Sequence, residues 1–485
     1  MNAPACPNIS IVGGGLSGLV TAVKLQQLMP NADIAIYESD CRLGGVIHTE
    51  ECDNFLVDHG ADMFATNPPD ALKLCDQLGV SDSLIEPLVE GRGAKIVHKG
   101  RLVPLPEGFV LMRATQIWPM LKTPLLSLRG KIRFLWERWV PKKRDTGTLV
   151  EDESIADFVN RRMGREMLDR IVAPLTAGIY TADIERLSML ATMGPIAKME
   201  TDFGSLAKAT SIRRKSGQDS VERNSAGARY SQFRAFPGGM IQLIEALEAK
   251  LPEESIHKNC KVQRIQQNSD SSWEITLPDE TVKCDEVVLT TPPKISAKLL
   301  EDLCPKASKA MSQIESSSVA IAVLGVHKSQ IHKPADCFGF VVPLNENRKI
   351  LACSFASAKF AHRAPENHVL IRIFVGGAMQ AELLHETDDA IIKLVRDELS
   401  ELIGLSGEPA VAKVVRWNEA MPQYHVGHLE RIKTIEQEIS QVPSLRIVSN
   451  AMRGVGISPV ISQASKVATD ISERYAELSH PPSGQ

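Results

Sequence analysis

The sequence lacks the features of secreted, metal-binding and membrane-spanning proteins. Its 9 cysteines are odd in number and scattered, with no C-x-x-C pair, so neither a disulfide framework nor a zinc site is indicated and no metal is expected. The N-terminal stretch MNAPACPN has neither the basic nor the apolar region of a signal peptide. No uncharged apolar run reaches the roughly 18 residues of a spanning helix. These absences favour a cytoplasmic protein in a reducing compartment, with at most peripheral membrane contact.

A strong excess of charge of either sign is also lacking. The net charge of -4 provides no general attraction for nucleic acid, and no nucleic-acid partner is expected. Hydrophobic residues make up 43% and charged residues 24% of the 485 residues. Such values are typical of a globular chain, and this length predicts two or three domains.

A glycine-rich segment near the start predicts a bound dinucleotide. ISIVGGGLSGLVTAVKLQQLMP, residues 9–30, is a β-branched strand, a set of spaced glycines and a helical pattern that stops before proline. Gly13 allows a tight turn, Gly15 lets backbone approach a diphosphate, and Gly18 lets helix and strand pack closely. A second strand ends at Glu38, where a carboxylate can accept hydrogen bonds from ribose hydroxyls.

The loop after that acid indicates which dinucleotide is bound. In ESDCRLGGVIHT, Arg42 can reach the diphosphate, and the pair Gly44 and Gly45 brings backbone close to the cofactor. The combined pattern GxGxxG, acid, R-x-GG-x-x-x-T resembles that of the superfamily of FAD-dependent amine oxidases, phytoene desaturases and porphyrinogen oxidases. The resemblance implies FAD. Because the S-G-G-C-Y-type motif that tethers flavin in many amine oxidases does not occur, non-covalent binding is expected.

The segment FLVDHGADMFA allows two interpretations. In the superfamily this turn passes along the flavin ring, so Asp58, His59 and Asp62 are candidates for acid–base chemistry. The same residues are also typical of turns, where they satisfy backbone groups.

Residues 109–144 are basic and contain three of the five tryptophans. Nine Lys or Arg residues stand against one acid, Glu137. Such an amphipathic stretch fits an anionic membrane surface, the mouth of a channel for an apolar polycarboxylate, or a core helix with a solvated basic face. The predicted apolar stripe comprises Leu125, Leu126, Leu128, Ile132, Leu135 and Trp136.

The order of patterns predicts an α/β and α+β protein whose Rossmann-type FAD-binding domain is interrupted. Residues 1–65, 236–300 and 418–485 are assigned to that discontinuous domain, because β-rich sequence returns far from the first glycines. Residues 66–92 and 301–417 are assigned to a mixed-sheet substrate-binding domain. Residues 93–212 are assigned to a mainly helical, membrane-associating domain, and the polar residues 213–235 to a flexible loop.

Four distant motifs narrow the resemblance. IVAPLTAGIYTADIERLSM, RWNEAMPQYHVGHLERI, SNAMRGVGISPVISQASKVA and LLSLRGKIRFLWE are similar to segments of the protoporphyrinogen IX and coproporphyrinogen III oxidase family of haem biosynthesis. They span nearly the whole chain. One departure is Ser449-Asn450-Ala451-Met452, where many members have Gly and an aromatic residue. The implied flavin contacts, beside Arg42, are Gly13, Gly14, Gly15, Leu16, Ser17, Gly18, Glu38, Ser39, Val46, Gly60, Ala61, Asp62, Met63, Val262, Trp417, Val455, Gly456 and Ile457.

The resemblance also implies a reaction. Six electrons are removed from a porphyrinogen in three flavin cycles, O2 is the acceptor, and H2O2 is formed. Hydride transfer needs positioning and a dry apolar site more than a tuned acid–base pair, and the sequence identifies no catalytic side chain. Arg92 and Lys95 are candidates for binding propionates. Gly178 either lets the macrocycle approach backbone or ends a helix.

Several alternatives stay open at this point. The substrate is coproporphyrinogen III or protoporphyrinogen IX, and a homodimer and hand-over of product to the next haem-pathway enzyme are further expectations. An amine oxidase, whose aromatic cage fits poorly with 5% aromatic residues, and a carotenoid desaturase are rival enzymes. A non-catalytic protein that binds FAD or porphyrin is a rival of another class.

Overall fold

The computed structural model describes residues 6–110, 112–143, 151–215 and 230–479. Its strands are β1 Asn8–Val12, β2 Asp33–Tyr37, β3 Thr49–Cys52, β4 Phe55–Asp58, β5 Phe64–Ala65, β6 Ala94–His98, β7 Arg101–Pro104, β8 Phe109–Val110, β9 Arg113–Ala114, β10 Phe233–Arg234, β11 Ile256–His257, β12 Arg264–Gln267, β13 Trp273–Thr276, β14 Thr281–Cys284, β15 Glu286–Leu289, β16 Ser316–His327, β17 Gly339–Val341, β18 Ala352–Phe355, β19 His368–Gly376, β20 Val411–Pro422 and β21 Leu445–Ile447.

The helices connect and cover these strands. They are α1 Leu16–Leu28, α2 Asp70–Leu78, α3 Ile117–Lys122, α4 Leu128–Trp136, α5 Ile155–Met163, α6 Arg165–Met167, α7 Ala173–Tyr180, α8 Met189–Phe203, α9 Leu206–Lys215, α10 Ile241–Glu248, α11 Pro293–Leu299, α12 Pro305–Ser312, α13 Ala356–Lys359, α14 Asp388–Ile403, α15 His428–Ile439 and α16 Ile457–Ser479.

A five-stranded parallel sheet in the order β11-β2-β1-β15-β21 forms the first core. Its strands are apolar on both faces, as expected where helices cover both sides. On β15, Val288 points into a cluster with α1, α2, α10 and α16. Its neighbours Val287 and Leu289 point into the cluster formed with α11, α12, α15 and the β12-β13-β14 sheet. The strands come from three separate stretches of chain, so the predicted fold class, including the interruption, is confirmed.

A seven-stranded mixed sheet in the order β20-β16-β19-β18-β17-β6-β7 forms the second core. All its pairs are antiparallel except β17 with β6. One face packs on α14. The other face meets the helical region near Ile96 and the β3-β4 hairpin near Phe55.

The structure divides the chain differently from the sequence at several places. Helix α2 packs in the core of the parallel sheet, against α16, although residues 66–92 are assigned above to the substrate-binding domain. Strands β6 and β7 belong to the mixed sheet, although residues 93–212 are assigned to the helical domain. Of the predicted loop at 213–235, Arg213 to Lys215 continue α9, and residues 216–229 lie outside the described residues.

The helical region encloses a charged network around one arginine. Arg162 has no exposed surface. Its Nε lies 2.6 Å from Glu137 Oε1, and its Nη1 lies 2.7 Å from Glu200 Oε1. The carboxylate of Glu137 also accepts hydrogen bonds from the first amides of α9, at Leu206 and Ala207. The single acid in the basic stretch is therefore a buried structural group.

The basic stretch presents its apolar side chains to solvent. Leu125 and Leu126 are buried ahead of α4, so they do not belong to the predicted stripe. The interpretation of this stripe as the apolar face of a core helix is wrong, because Leu128, Ile132, Leu135 and Trp136 of α4 are exposed. Phe134 is partly buried against the core of the helical region. The exposed apolar side chains here are Ile117, Trp118, Leu128, Ile132, Leu135, Trp136 and Trp139, called the Trp136 patch below. Among the described residues, no helix is both long and apolar enough to traverse a bilayer.

Candidate flavin site

The first glycine loop joins β1 to α1 and leaves an open space at the helix start. Gly15 precedes α1 in extended backbone with φ -73°, and no side chain accepts a hydrogen bond as the cap of α1. A Cβ atom built on Gly15 would meet nothing within 4 Å. A Cβ on Gly18 would lie 2.0 Å from Gly13 O, so only glycine allows α1 to approach the strand. Free amides beside open space at a helix N-terminus fit a diphosphate.

The second loop and the predicted acid converge on this point. The amide of Gly44 donates to Gly14 O over 2.9 Å, and Glu38 Oε2 accepts from the amide of Gly14 over 2.6 Å. The carboxylate of Glu38 also accepts from the Ser39 hydroxyl. The guanidinium of Arg42 donates to carbonyls of its own loop, among them Gly45 O at 2.7 Å. In this structure Arg42 thus holds the loop in place.

The remaining predicted contacts extend away from the first loop. The amide of Cys260, two residues before the buried Val262, donates to Glu38 O. A Cβ on Gly60 would lie 2.1 Å from Val46 O, so the segments around these two residues touch. Two hydrogen bonds connect the 59–65 segment to later parts of the chain. Trp417 Nε1 donates to His59 O, and Ser458 Oγ, beside Ile457, donates to Ala65 O.

The carboxylates of the 58–62 turn are engaged in buried ion pairs. Asp62 Oδ2 lies 2.9 Å from Lys359 Nζ and 3.1 Å from Arg372 Nη1. Burial alone would raise the pKa of Asp62, but these two cations outweigh it and hold the pKa well below its ordinary value. Asp58 pairs with Arg363 and accepts from the amide of Met240. Both carboxylates therefore act as structural groups. Because the Asp62 carboxylate is paired with two cations, we assign it no acid–base role.

The MPQYHVGH stretch anchors the loop that precedes the predicted flavin contacts Val455 and Gly456. The hydroxyl of Tyr424 donates to Asn450 O over 2.5 Å and accepts from the amide of Gly454 over 2.8 Å. His428 stacks on Tyr424 with ring centroids 4.0 Å apart, and its Nε2 lies 3.1 Å from Met452 O. Burial lowers the pKa of His428 to about 4, so the neutral ring donates this bond. The loop before Val455 and Gly456 is thereby fixed.

The three predicted substrate contacts are not brought together. Arg92 donates to Leu88 O and Pro87 O in its own turn. Lys95 bonds Ala335 O, on the face of the mixed sheet that packs on α14. Gly178 approaches Val341 on the opposite face. Gly178 lies within α7, and Thr181 forms the end of that helix, so the helix-end interpretation is wrong.

A histidine pair beside this site has the spacing of a metal site but unfavourable charge. His48, Glu50 and His59 place their ligand atoms within 4.8 Å of one another. The Lys413 ammonium, however, contacts the Glu50 carboxylate. Burial, reinforced by the charge of Arg42, lowers the pKa of His48. Two neighbouring cations oppose a divalent ion, so we assign this group to an ion-pair network.

Comparison with known proteins identifies the family. The sequence profile of the flavin containing amine oxidoreductases matches residues 16–472. The chain belongs to this family. Coproporphyrinogen III oxidase of Bacillus subtilis is 30% identical, covering 96% of this chain and 97% of its own. Protoporphyrinogen oxidase 2 of Arabidopsis thaliana is 26% identical, covering 97% and 94%. A solved structure from Exiguobacterium sp. 255-15, assigned to the protoporphyrinogen oxidases, has 26% identity and a TM-score of 0.83 over 96% of this chain and 99% of its own.

As a flavin-containing amine oxidoreductase, the protein uses FAD, and the predictions of FAD, of an oxidoreductase and of the family are confirmed. The residues present fit the cofactor: the space at Gly15 is open, and the second loop borders it, because Gly44 donates to Gly14 O and a Cβ on Gly45 would lie 3.5 Å from Gly15 Cα. The individual flavin contacts stay predictions.

Sequence reasoning missed the cations that this flavoprotein buries behind the 60–63 segment. Lys359, Arg363 and Arg372 are all at most 8% exposed. A signal was present, because Arg372 interrupts the apolar strand HVLIRIFVGG, and a charge in a buried strand needs a partner. The anchoring roles of Tyr424 and His428 were missed as well, since their motif served only to indicate the family.

Proposed function

We propose that the protein oxidises a porphyrinogen to the porphyrin in haem biosynthesis, with O2 as acceptor and H2O2 as product. The observation that carries this proposal is the near full-length similarity to porphyrinogen oxidases. The stretch from Gln423 to His428, which resembles a motif of that family, holds the loop before the predicted flavin contacts Val455 and Gly456 in this chain. FAD held by these loops would supply the redox chemistry, namely hydride acceptance from a bridge carbon and reoxidation by O2.

The role of the protein is to place the substrate and exclude water. Gln423 links the regions that would do this: its Nε2 donates to Tyr180 O at the end of α7 and to Ser317 Oγ on the mixed sheet. Gly178, two residues before Tyr180 on α7, is proposed to let the macrocycle approach backbone. Arg92 remains a proposed propionate partner and would have to leave Leu88 O and Pro87 O to bind a carboxylate. Lys95 lies on the face of the mixed sheet opposite to Gly178, so it is not proposed to contact the same macrocycle.

Coproporphyrinogen III is the proposed preferred substrate, because the relative with that name is the more similar of the two compared. A propionate with a cationic partner contributes about 1.5–3 kcal/mol, so we expect kcat/KM at least about tenfold higher than for protoporphyrinogen IX. Purified yellow protein is mixed aerobically with each porphyrinogen, and porphyrin fluorescence and peroxide are followed. The proposal would be contradicted if the protein oxidised neither porphyrinogen but did oxidise an amine or a carotenoid. Yellow protein that turns over none of these would indicate a binding protein.

The Trp136 patch is proposed to rest on an anionic membrane. Its tryptophans flank Arg129, Lys131 and Arg138 in the chain, the combination that places an amphipathic helix at a lipid surface. The protein would then be a peripheral membrane protein on the cytoplasmic face of the membrane. Homodimer formation and transfer of product to the next enzyme stay predictions.

Vesicle binding tests this surface. We expect co-sedimentation with phosphatidylglycerol-containing vesicles, weaker at high salt. Burying one large apolar side chain contributes about 1.5–3 kcal/mol, so the double variant Leu128→Ser, Trp136→Ser is expected to bind at least about tenfold less tightly. Leu344→Ser, at an exposed leucine on another surface, is the control. Equal binding of the double variant and the wild type would overturn the proposal.

A further inference from the structure

Five charged side chains are buried together behind the 60–63 segment. Asp58, Asp62, Lys359, Arg363 and Arg372 are each at most 8% exposed, and they are called the Asp62 cluster here. The ion pairs are Lys359 with Asp62 at 2.9 Å, Arg372 with Asp62 at 3.1 Å and Arg363 with Asp58 at 3.3 Å. The carboxylate of Asp58 is further occupied by Thr49 and by the amide of Met240.

The cluster has more positive than negative charge. Three cations face two carboxylates, which leaves one positive charge without a buried counterion inside the cluster. The Nε atoms of Arg363 and Arg372 are buried and have no hydrogen-bond partner among the described residues. Leaving a charge uncompensated in the interior is costly. One cation paired with one carboxylate would hold the 60–63 segment at a lower free-energy cost. The third cation therefore points to a further role.

The excess charge lies directly against the segment that the family resemblance places along the flavin. Arg372 donates to Gly60 O, and the buried Lys359 ammonium donates to the Asp62 carboxylate. Arg372 lies over the ring of Phe374 and Arg363 over the ring of Phe360, so apolar groups keep water from screening them. At an effective dielectric constant of about 20, a unit charge about 12 Å away still changes an equilibrium about tenfold.

We propose that the Asp62 cluster stabilises the negative charge that hydride transfer leaves on the flavin. Hydride brings two electrons and one proton to a neutral ring, so the reduced ring carries one negative charge until a proton is taken up. Lys359 and Arg372 are positioning and electrostatic residues in this role, since they act on the cofactor through the 60–63 segment. The inference rests on FAD lying along this segment and is independent of which substrate supplies the hydride.

Two variants with opposite effects test this electrostatic role. Lys359→Met removes the excess charge, and we expect it to weaken the adduct between sulfite and the bound flavin about tenfold and to lower the two-electron midpoint potential by about 30 mV. Asp62→Asn raises the excess positive charge of the cluster from one to two. We therefore expect this variant to bind sulfite more tightly and to have a higher two-electron midpoint potential. Lys359→Arg should behave as wild type, and Lys393→Met, at a lysine that is 78% exposed on α14 of the same region, is the matched control.

A purely structural role gives a different result, because loosening the segment shifts both variants in the same direction. The inference would be overturned if Lys359→Met and Asp62→Asn shifted the midpoint potential in the same direction. It would also be overturned if both flavin-loaded variants bound sulfite within about twofold of the wild-type affinity. If Lys359→Met does not fold, the comparison of Asp62→Asn with Lys359→Arg still decides it. Porphyrinogen turnover is measured separately, so failure of the proposed substrate leaves the sulfite result interpretable.

Discussion

Gly18→Ala is expected to abolish flavin binding and to destabilise the fold. The added Cβ would lie 2.0 Å from Gly13 O and 3.2 Å from Gly13 C, which is backbone and cannot move aside. Helix α1 would have to leave β1, and with it the glycine loop. Overpacking a close contact costs up to about 3 kcal/mol, and we expect a loss near that limit in urea unfolding of the apoprotein. The purified variant should be colourless.

Gly15→Ala is the matched control and should separate the two effects. Gly15 has backbone angles that any residue adopts, and its Cβ would meet nothing within 4 Å. The apoprotein should therefore unfold within about 0.5 kcal/mol of wild type. The methyl group would occupy the space predicted for the diphosphate, so FAD should bind at least about tenfold more weakly, or about 1.4 kcal/mol. Wild-type FAD affinity in this variant would show that the diphosphate lies elsewhere.

Arg162→Met should cost about 3–5 kcal/mol of unfolding free energy, the range for breaking a buried ion pair by removing one partner. The substitution leaves Glu137 and Glu200 buried without their shared cation, and Glu137 also holds the start of α9. Arg165→Met, which removes an exposed ion pair with Asp169, should cost less than about 1 kcal/mol. Equal losses in the two variants would refute the structural role of the network.

The effect of Arg162→Met should also depend on pH. Burial acts to raise the pKa of Glu200, but hydrogen bonds and charge from Arg161 and Arg162 outweigh it and hold the pKa below its ordinary value. A lowered folded-state pKa stabilises the protein above the unfolded pKa, and that stabilisation is lost as the pH falls. The difference between wild type and variant in urea unfolding is therefore expected to narrow below about pH 4.3, the ordinary pKa of glutamate.

The sequence was sufficient for the parallel sheet and the cofactor, because both depend on local rules. A tight turn needs Gly13, close packing needs Gly18, and strand, helix and acid follow at fixed spacing. The strand pairing of the mixed sheet could not be predicted in this way. Strand β6 pairs with β17, which lies more than 200 residues later in the chain, and no local sequence pattern determines that pairing. The same holds for α2, whose apolar face fits either core.

The substrate contacts could not be derived for a related reason. Motif position alone predicts Lys95 and Gly178 as substrate contacts. The face of the sheet on which Lys95 lies depends on strand register, and the face that α7 covers depends on tertiary packing. The Asp62 cluster likewise joins residues about 300 positions apart, so its charges could be recognised as buried from the sequence but not as neighbours. The exposed face of α4 is another case, since a membrane-facing stripe and a core-facing stripe have the same periodicity.

The packing of α1 against α16 has a consequence for how the chain folds during synthesis. Apolar residues of α1, such as Leu19 and Val20, share one core with Ile461 and Ala464 of α16. Strand β21 completes the sheet edge only shortly before that helix. The glycine loop is made among the first residues, but its supporting core is not closed until more than 400 further residues have left the ribosome. We therefore expect the flavin to be captured only after the C-terminal helix has been synthesised.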